Sequence, residues 1–223
     1  VVGNHDLRRL IARFGDATAD PSLVAKALAA TYLLQRATPF IYQGDELGLG
    51  DTTITAVEEL DDVWAKTTYR LARSKGHTEA EALAKAVAMT RDHARTPYPW
   101  TPEGGFSLGS PWLKPTPNLG GVDLASQQAD GHSVWAFYRA LLELRSKNPE
   151  TWVFGAFEDL LPAHESLFVY RRGARGLVCV NLGSKACALP EAVTQLLSGL
   201  TCLHRSGEAS TSLMGAWSTQ IWA

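Results

Sequence analysis

The sequence predicts an α/β region followed by a separate antiparallel β domain, with the change near Pro149. Three observations carry this. Apolar runs that end in short polar clusters, Val1-Val2 before Gly3-Asn4-His5-Asp6 and Phe40-Ile41-Tyr42 before Gln43-Gly44, enclose a helical stretch. That is the rhythm of parallel strands alternating with helices. Residues 96–121 then crowd Pro97, Pro99, Pro102, Pro111, Pro115 and Pro117 among several glycines, which forbids regular structure. After Glu150 the pattern becomes short β-branched and aromatic runs between Gly, Pro and Asn turns.

The elements follow in order. Val1 to Asp6 reads as the end of a buried strand, which would present Asn4, His5 and Asp6 at the carboxyl edge of a parallel barrel or doubly wound sheet. Asp20 is placed to cap a helix with Pro21 at its first position. This helix runs over Leu23 to Ala37, with Leu23, Ala27, Ala30 and Leu34 on one buried face. Thr38 to Gln43 is a short strand closed by Gly44, its continuous apolar middle suited to cover on both faces. A charged helix is expected from Ala56 to Ala72. Thr78 and Glu81 form a capping box for an Ala-rich helix ending at Met89. Trp100, Phe106 and Trp112 are expected to pin the Pro-rich loop to the body. Ser133 to Lys147 is a helix with Val134, Phe137, Leu141 and Leu144 on one face, stopped by Asn148-Pro149. Strands are expected at Thr151–Phe154, Leu167–Tyr170, Gly176–Val180 and Ile221–Trp222.

Composition excludes several classes. The 223 residues are 45% hydrophobic with a net charge of −2, so the chain folds and has no basic excess for nucleic acid. No uninterrupted apolar run is long enough to span a membrane. Cys179, Cys187 and Cys202 lack C-x-x-C spacing and read as free thiols of a reducing, cytoplasmic compartment. A chain opening on Val1 rather than Met, with no signal peptide, is expected to be a C-terminal part of a longer protein.

Few residues propose chemistry by themselves. Asn4-His5-Asp6 is either a turn whose polar side chains serve the local backbone, or a donor and an acceptor at a sheet mouth, suited to vicinal sugar hydroxyls. Arg91 and Arg95 lie one turn apart, either as a solvated helix end or as a pair projecting from one face. Asp45 and Glu46 are adjacent, so they cannot face one another as an acid and a nucleophile; they read as supporting hydrogen bonders or a turn. Asp51, Asp61 and Asp62 read as solvated charges. His77, His132, His164 and His204 are scattered. No nucleophile elbow, phosphate loop or His-x-x-x-His pair occurs, and neither a metal nor a cofactor is expected.

In combination the motifs say more. Val2-Gly3-Asn4-His5-Asp6, Arg13-Phe14-Gly15, Ala37-Thr38-Pro39-Phe40-Ile41-Tyr42-Gln43-Gly44-Asp45-Glu46-Leu47-Gly48, Arg91-Asp92-His93-Ala94-Arg95-Thr96-Pro97 and Pro111-Trp112-Leu113 occur in one order. Together they resemble the C-terminal part of the α-amylase superfamily of glycoside hydrolases (family 13), in its oligo-1,6-glucosidase and α-glucosidase group, over essentially the whole chain. The resemblance implies the end of a (β/α)8 barrel, about strands 7 and 8, over residues 1–149, and an antiparallel β-sandwich over 150–223. It implies that Asp6 is the third essential carboxylate, that His5 donates to the same sugar ring, and that Arg91 helps close the −1 pocket, with Arg95 beside it as a further substrate-binding residue. Such groups stabilise an oxocarbenium-like, distorted ring.

The resemblance also implies what is elsewhere. The family's nucleophilic Asp and acid/base Glu lie upstream of Val1, so the chain alone should not hydrolyse glycosides. Trp64 stands where relatives active on α-1,6 linkages carry a Glu, marking an acceptor-site surface. Leu7-Arg8 replaces the usual Gln-Pro, while Arg9 keeps the following arginine. The implied function is a retaining α-glucosidase acting on a small α-glucoside such as maltose or isomaltose, with oligomeric state open. Alternatives are a sucrose isomerase or transglucosylase, or a non-catalytic transporter heavy-subunit relative. Without the rest of the barrel, residues 1–150 should be prone to aggregate, while the β domain can fold.

Overall fold

A computed structural model describes residues 2–116 and 120–223. The expectations for Val1 and Pro117 lie outside the described residues. The helices are α1 (Leu10–Phe14), α2 (Pro21–Leu33), α3 (Val63–Ser74), α4 (Glu79–Met89), α5 (Asp92–Arg95), α6 (Leu124–Ala129), α7 (Val134–Lys147), α8 (Pro149–Trp152) and α9 (Glu191–Leu196). The strands are β1 (Phe157–Asp159), β2 (Leu167–Arg172), β3 (Gly176–Asn181), β4 (Cys187–Ala188), β5 (Cys202–Ser206), β6 (Leu213–Met214) and β7 (Thr219–Trp222). They fold as two compact units, Val1–Phe14 with Ile41–Gly131, and Gly15–Phe40 with His132–Ala223.

In the first unit, α3 and α4 form a hairpin over Leu60, Ala65 and Ala86. Asp62 caps α3 by accepting the Trp64 N–H at 3.0 Å. The capping box of α4 is present as the spacing predicts: Thr78 and Glu81 bond one another's backbone N–H groups. A 3-10 turn, Asp45–Leu47, is bracketed by Gly44 and Gly48, both in the left-handed region (φ +93° and +67°). Side chains with a Cβ resist that backbone, which is why glycine stands there.

The second unit is built on an antiparallel sheet of order β1-β2-β3-β7-β5, with β4 and β6 as a separate pair. Leu167, Val169, Leu177, Cys179 and Trp222 face Leu189, Val193, Leu197 and Met214 on one side. On β2 the alternate residues Tyr170 and Arg172 point the other way, where the Tyr170 hydroxyl donates to Ala30 O of α2 at 2.5 Å. Strand β3 is therefore buried on both faces, as its unbroken apolar sequence requires. Helix α2 starts as predicted, with Asp20 accepting the Ser22 N–H at 2.8 Å, but ends at Leu33. It is buried around most of its circumference rather than on one face, because its alanines let neighbours close in on several sides.

Three expectations are corrected. Residues 2–6 and 39–43 form no strand: a parallel strand needs ladder partners, and neither segment has one among the described residues. Thr151–Trp152 belongs to α8: Pro149 sets a helical φ, and the Trp152 and Val153 N–H groups donate to Asn148 O and Pro149 O at 3.0 and 2.9 Å. Gly155 lets the chain leave that turn, since a Cβ there would lie 2.3 Å from Thr151 O. The loop aromatics Trp100, Phe106 and Trp112 are about half exposed or more and do not pin the loop. Leu113, which is buried, and the Tyr98 and Lys114 bonds to Glu46 and Glu59 hold it instead. The three cysteines are free, and burial pushes the Cys179 thiol up to about 12. No helix among the described residues is long and apolar enough to cross a membrane.

Candidate functional site

The site is assembled in the first unit from the turn 4–7, the start of α3, and the segment 90–96. Asn4 does local backbone work: its Oδ1 accepts the Asp6 N–H at 2.8 Å. This closes a tight turn and leaves the Asp6 carboxylate pointing outward. Asp6 Oδ1 accepts from Arg95 Nη2 at 2.9 Å and Arg91 Nη1 at 3.4 Å. His5 Nε2 lies 3.3 Å from Asp6 Oδ2. Arg95 Nε donates to His5 O at 3.0 Å, which ties the turn to the arginine segment through its backbone as well. Asn4 thus realises the first reading of Asn4-His5-Asp6, and His5 and Asp6 project from the same turn rather than from the end of a strand. The structure brings His5, Asp6, Arg91 and Arg95 together, and the Asp6 carboxylate stays about half exposed (49%).

The arginines are not on a continuous helix. Helix α4 stops at Met89, and Arg91 precedes the single turn of α5. What aims Arg91 is Asp62. Its carboxylate accepts Arg91 Nε at 2.9 Å and Nη2 at 2.6 Å, a two-point fork, and also the Arg91 N–H at 2.9 Å. Asp92 closes the same joint by accepting the N–H groups of Asp61 and Asp62 at 2.8 and 3.1 Å. Asp62 is thus fully buried and not a solvated charge, and the Arg91 fork holds its carboxyl down at about 2. Trp64 shares this helix start and is two-thirds exposed (66%). The helix expected from Ala56 starts only at Val63, after a separate 3-10 turn at Val57–Glu59, and an Asp able to cap that later start is the sequence signal for Asp62.

The sign of the Asp62 effect follows from linkage. A carboxylate held below its ordinary 3.8 contributes stability above that value and loses it as pH falls toward about 2. Acid titration of the full-length protein should therefore show a loss between about pH 4 and pH 2. In Asp62→Asn this component should vanish, with a lower melting temperature at pH 7; an unchanged acid profile would contradict the assignment.

Asp51 is also misread as solvated. It accepts Arg8 Nε at 2.5 Å and the Arg9 N–H at 3.1 Å, long-range contacts that leave no local sequence signature. Asp61 is half exposed, 3.7 Å from Lys66, as expected of a surface charge. Asp45 and Glu46 support a turn. Glu46 accepts the Gly44 N–H at 2.9 Å and the Tyr98 hydroxyl at 2.6 Å. Asp45 is buried with Oδ2 unpartnered, and that burial pushes its carboxyl up to about 6. Arg9 is buried, with its guanidinium bonded to Gln43 O, His93 O and Thr96 Oγ1 at 2.5, 3.0 and 3.2 Å.

Chemically, the arrangement is an exposed carboxylate edge backed by two cations and flanked by an imidazole. It can accept from paired hydroxyls while the guanidiniums fix its orientation.

The family described as "Alpha amylase, catalytic domain" matches residues 1–153. A probable oligo-1,6-glucosidase 2 of Bacillus subtilis (strain 168) is 36% identical over 191 residues, covering 83% of this chain and 34% of the relative. Trehalose-6-phosphate hydrolase of Bacillus licheniformis matches in structure with a TM-score of 0.88 at 28% identity, covering 99% of this chain and 42% of that one. A mutant isomaltulose synthase of Erwinia rhapontici NX5, solved with sucrose, matches with a TM-score of 0.83 at 30% identity, covering 99% and 41%. The chain therefore spans about a third of the length of the curated relative and about two-fifths of the solved chains. It belongs to the α-amylase family, glycoside hydrolase family 13, and is oligo-1,6-glucosidase/α-glucosidase-like.

Proposed function

We propose that this chain supplies the C-terminal part of the sugar pocket of a retaining α-glucosidase that acts on short α-glucosides. The observation that carries the proposal is the half-exposed Asp6 carboxylate held by Arg91 and Arg95 beside His5. In this reading Asp6 is the family's third carboxylate. Its free lone pairs accept from two neighbouring hydroxyls of the −1 sugar, and the contact tightens as the ring flattens toward the oxocarbenium-like transition state. His5 donates to the same ring, and Arg91 and Arg95 keep the carboxylate in register. The nucleophile and the acid/base belong to the rest of the barrel, so this chain contributes binding and transition-state stabilisation without the bond-breaking pair. Residues 1–149 would belong to that barrel and residues 150–223 to the β domain that follows it. Helices α2 and α7 would be barrel helices against which the sheet rests. The proposed setting is the cytoplasm.

A second reading, sucrose isomerisation or glucosyl transfer, is favoured by the likeness to a sucrose-bound isomaltulose synthase. The exposed Trp64 also favours it, since an indole offers a stacking face rather than a hydrogen bond to an acceptor sugar. The test is turnover of p-nitrophenyl α-glucoside, isomaltose, maltose and sucrose by the full-length protein and its Asp6→Asn variant. Free glucose as the main product supports hydrolysis; rearranged disaccharides from sucrose support the second reading.

A further inference from the structure

We infer that Arg9 is a positioning residue for the Asp6 site, one that sets the distance between Asp6 and the two arginines; the inference rests on the function proposed above. Arg9 follows Asp6 by three residues and turns inward where Asp6 turns outward. Its side chain is buried, and each of its three nitrogens has a separate acceptor. Two of these, His93 O and Thr96 Oγ1, bracket Arg95 and follow Arg91 closely in the chain. The third, Gln43 O, lies on the segment that leads into the Gly44 turn. One planar group therefore joins the backbone that carries Asp6 to the backbone that carries Arg91 and Arg95.

The surroundings are shaped for this side chain. A Cβ on Gly44 would come within 2.8 Å of Arg9 Nη1, so glycine leaves room for the fork. The guanidinium also lies over the Tyr42 ring, 5.8 Å from its centroid. Burial holds the Arg9 guanidinium below its ordinary range, and Tyr42, Asp45, Asp51 and Glu46 lie near enough to offset part of that. The Arg9 N–H is fixed separately by Asp51.

Energetic ranking then decides which contacts set the geometry. The pairs of Asp6 with Arg91 and Arg95 are solvent-exposed and contribute little by themselves. The Arg9 bonds are buried or partly so, and buried groups are costly to leave unmatched. Asp62 aims the Arg91 side chain, and the Arg9 bonds hold the backbone on which Arg91 and Arg95 stand against the backbone of Asp6. A lysine at position 9 keeps the charge but cannot serve three acceptors in one plane.

The test is a double-mutant cycle in the full-length protein with p-nitrophenyl α-glucoside, counting folded sites by trapping with a fluorinated glucosyl fluoride. Arg9→Lys should lower kcat and kcat/KM per trapped site together by about a hundredfold, the scale of a displacement near 1 Å. In an Arg95→Lys background the same change should cost less than about threefold, since the group it positions is already compromised. Equal losses in both backgrounds would overturn the inference. So would an unchanged kcat per trapped site with only a lower melting temperature, which is the signature of a purely structural arginine. Full turnover by Asp6→Asn would instead sink the underlying reading, whatever Arg9 does.

Discussion

Asp6→Asn in the full-length protein is expected to lower kcat about a thousandfold on p-nitrophenyl α-glucoside, the scale seen when one preorganised electrostatic contact to a transition state is removed. The substitution keeps the shape of the side chain and deletes its charge. Two guanidiniums would then face an amide instead of a carboxylate, and the developing positive charge on the sugar would lose one counter-charge. Stability should change little. Asp6 is half exposed, and surface ion pairs are worth about 0–1 kcal/mol each, so the melting temperature should stay within a few degrees. A normal kcat, or a loss explained by unfolding, would remove Asp6 from its proposed role. The isolated chain gives the complementary result: it should release no p-nitrophenol, because a retaining mechanism needs two further carboxyl groups about 5 Å apart.

Arg172→Leu is expected to cost about 3–5 kcal/mol, a large part of the roughly 5–15 kcal/mol that holds a domain together. The side chain is fully buried on β2 and donates only to main-chain carbonyls among the described residues: Leu34 O, Trp152 O at 3.2 Å, Val153 O at 3.3 Å and Gly155 O at 3.0 Å. Those carbonyls close the end of α2 and the turn after α8, where helices leave acceptors unsatisfied. Arg145 does the same work beside it, reaching Leu33, Gln35, Ala37 and Trp152. Leucine roughly fills the volume and removes this donor from Leu34 O, Val153 O and Gly155 O, while Trp152 O keeps Arg145. Arg172→Lys should fall between, since one ammonium cannot span both chain ends. Urea unfolding followed by tryptophan fluorescence measures this; a loss under about 1 kcal/mol would show that water replaces the guanidinium freely.

Much of the local structure was legible in the sequence because its causes are local. Asp20, Thr78 and Ser133 each cap the helix that the spacing predicts, and β2, β3 and β7 follow their apolar runs. The meeting of Asp6 with Arg91 and Arg95 was legible only through the combined motifs. What escaped was set by distant partners. Asp62 looks solvated until Arg91 arrives from 29 positions away. Arg172 lies past the strand read as Leu167–Tyr170, and its partners, Leu34 and residues 152–155, are distant in sequence. Thr151 and Trp152 carry strand-forming side chains, yet Pro149 commits them to a helical turn. The segment at 39–43 has a strand's composition without a strand's neighbours.

That last segment has a practical consequence. Phe40 is 79% exposed and Ile41 37% exposed on a stretch whose backbone joins no ladder. Such a stretch is half of a zipper: it offers apolar side chains to whatever strand comes first. Expressed alone, the chain is expected to self-associate, visible as concentration-dependent light scattering. Co-expressed with the remaining three-fifths of a family member, it should instead yield a soluble heterodimer. A monomeric, scattering-free chain would show that Phe40 and its neighbours are harmless in water.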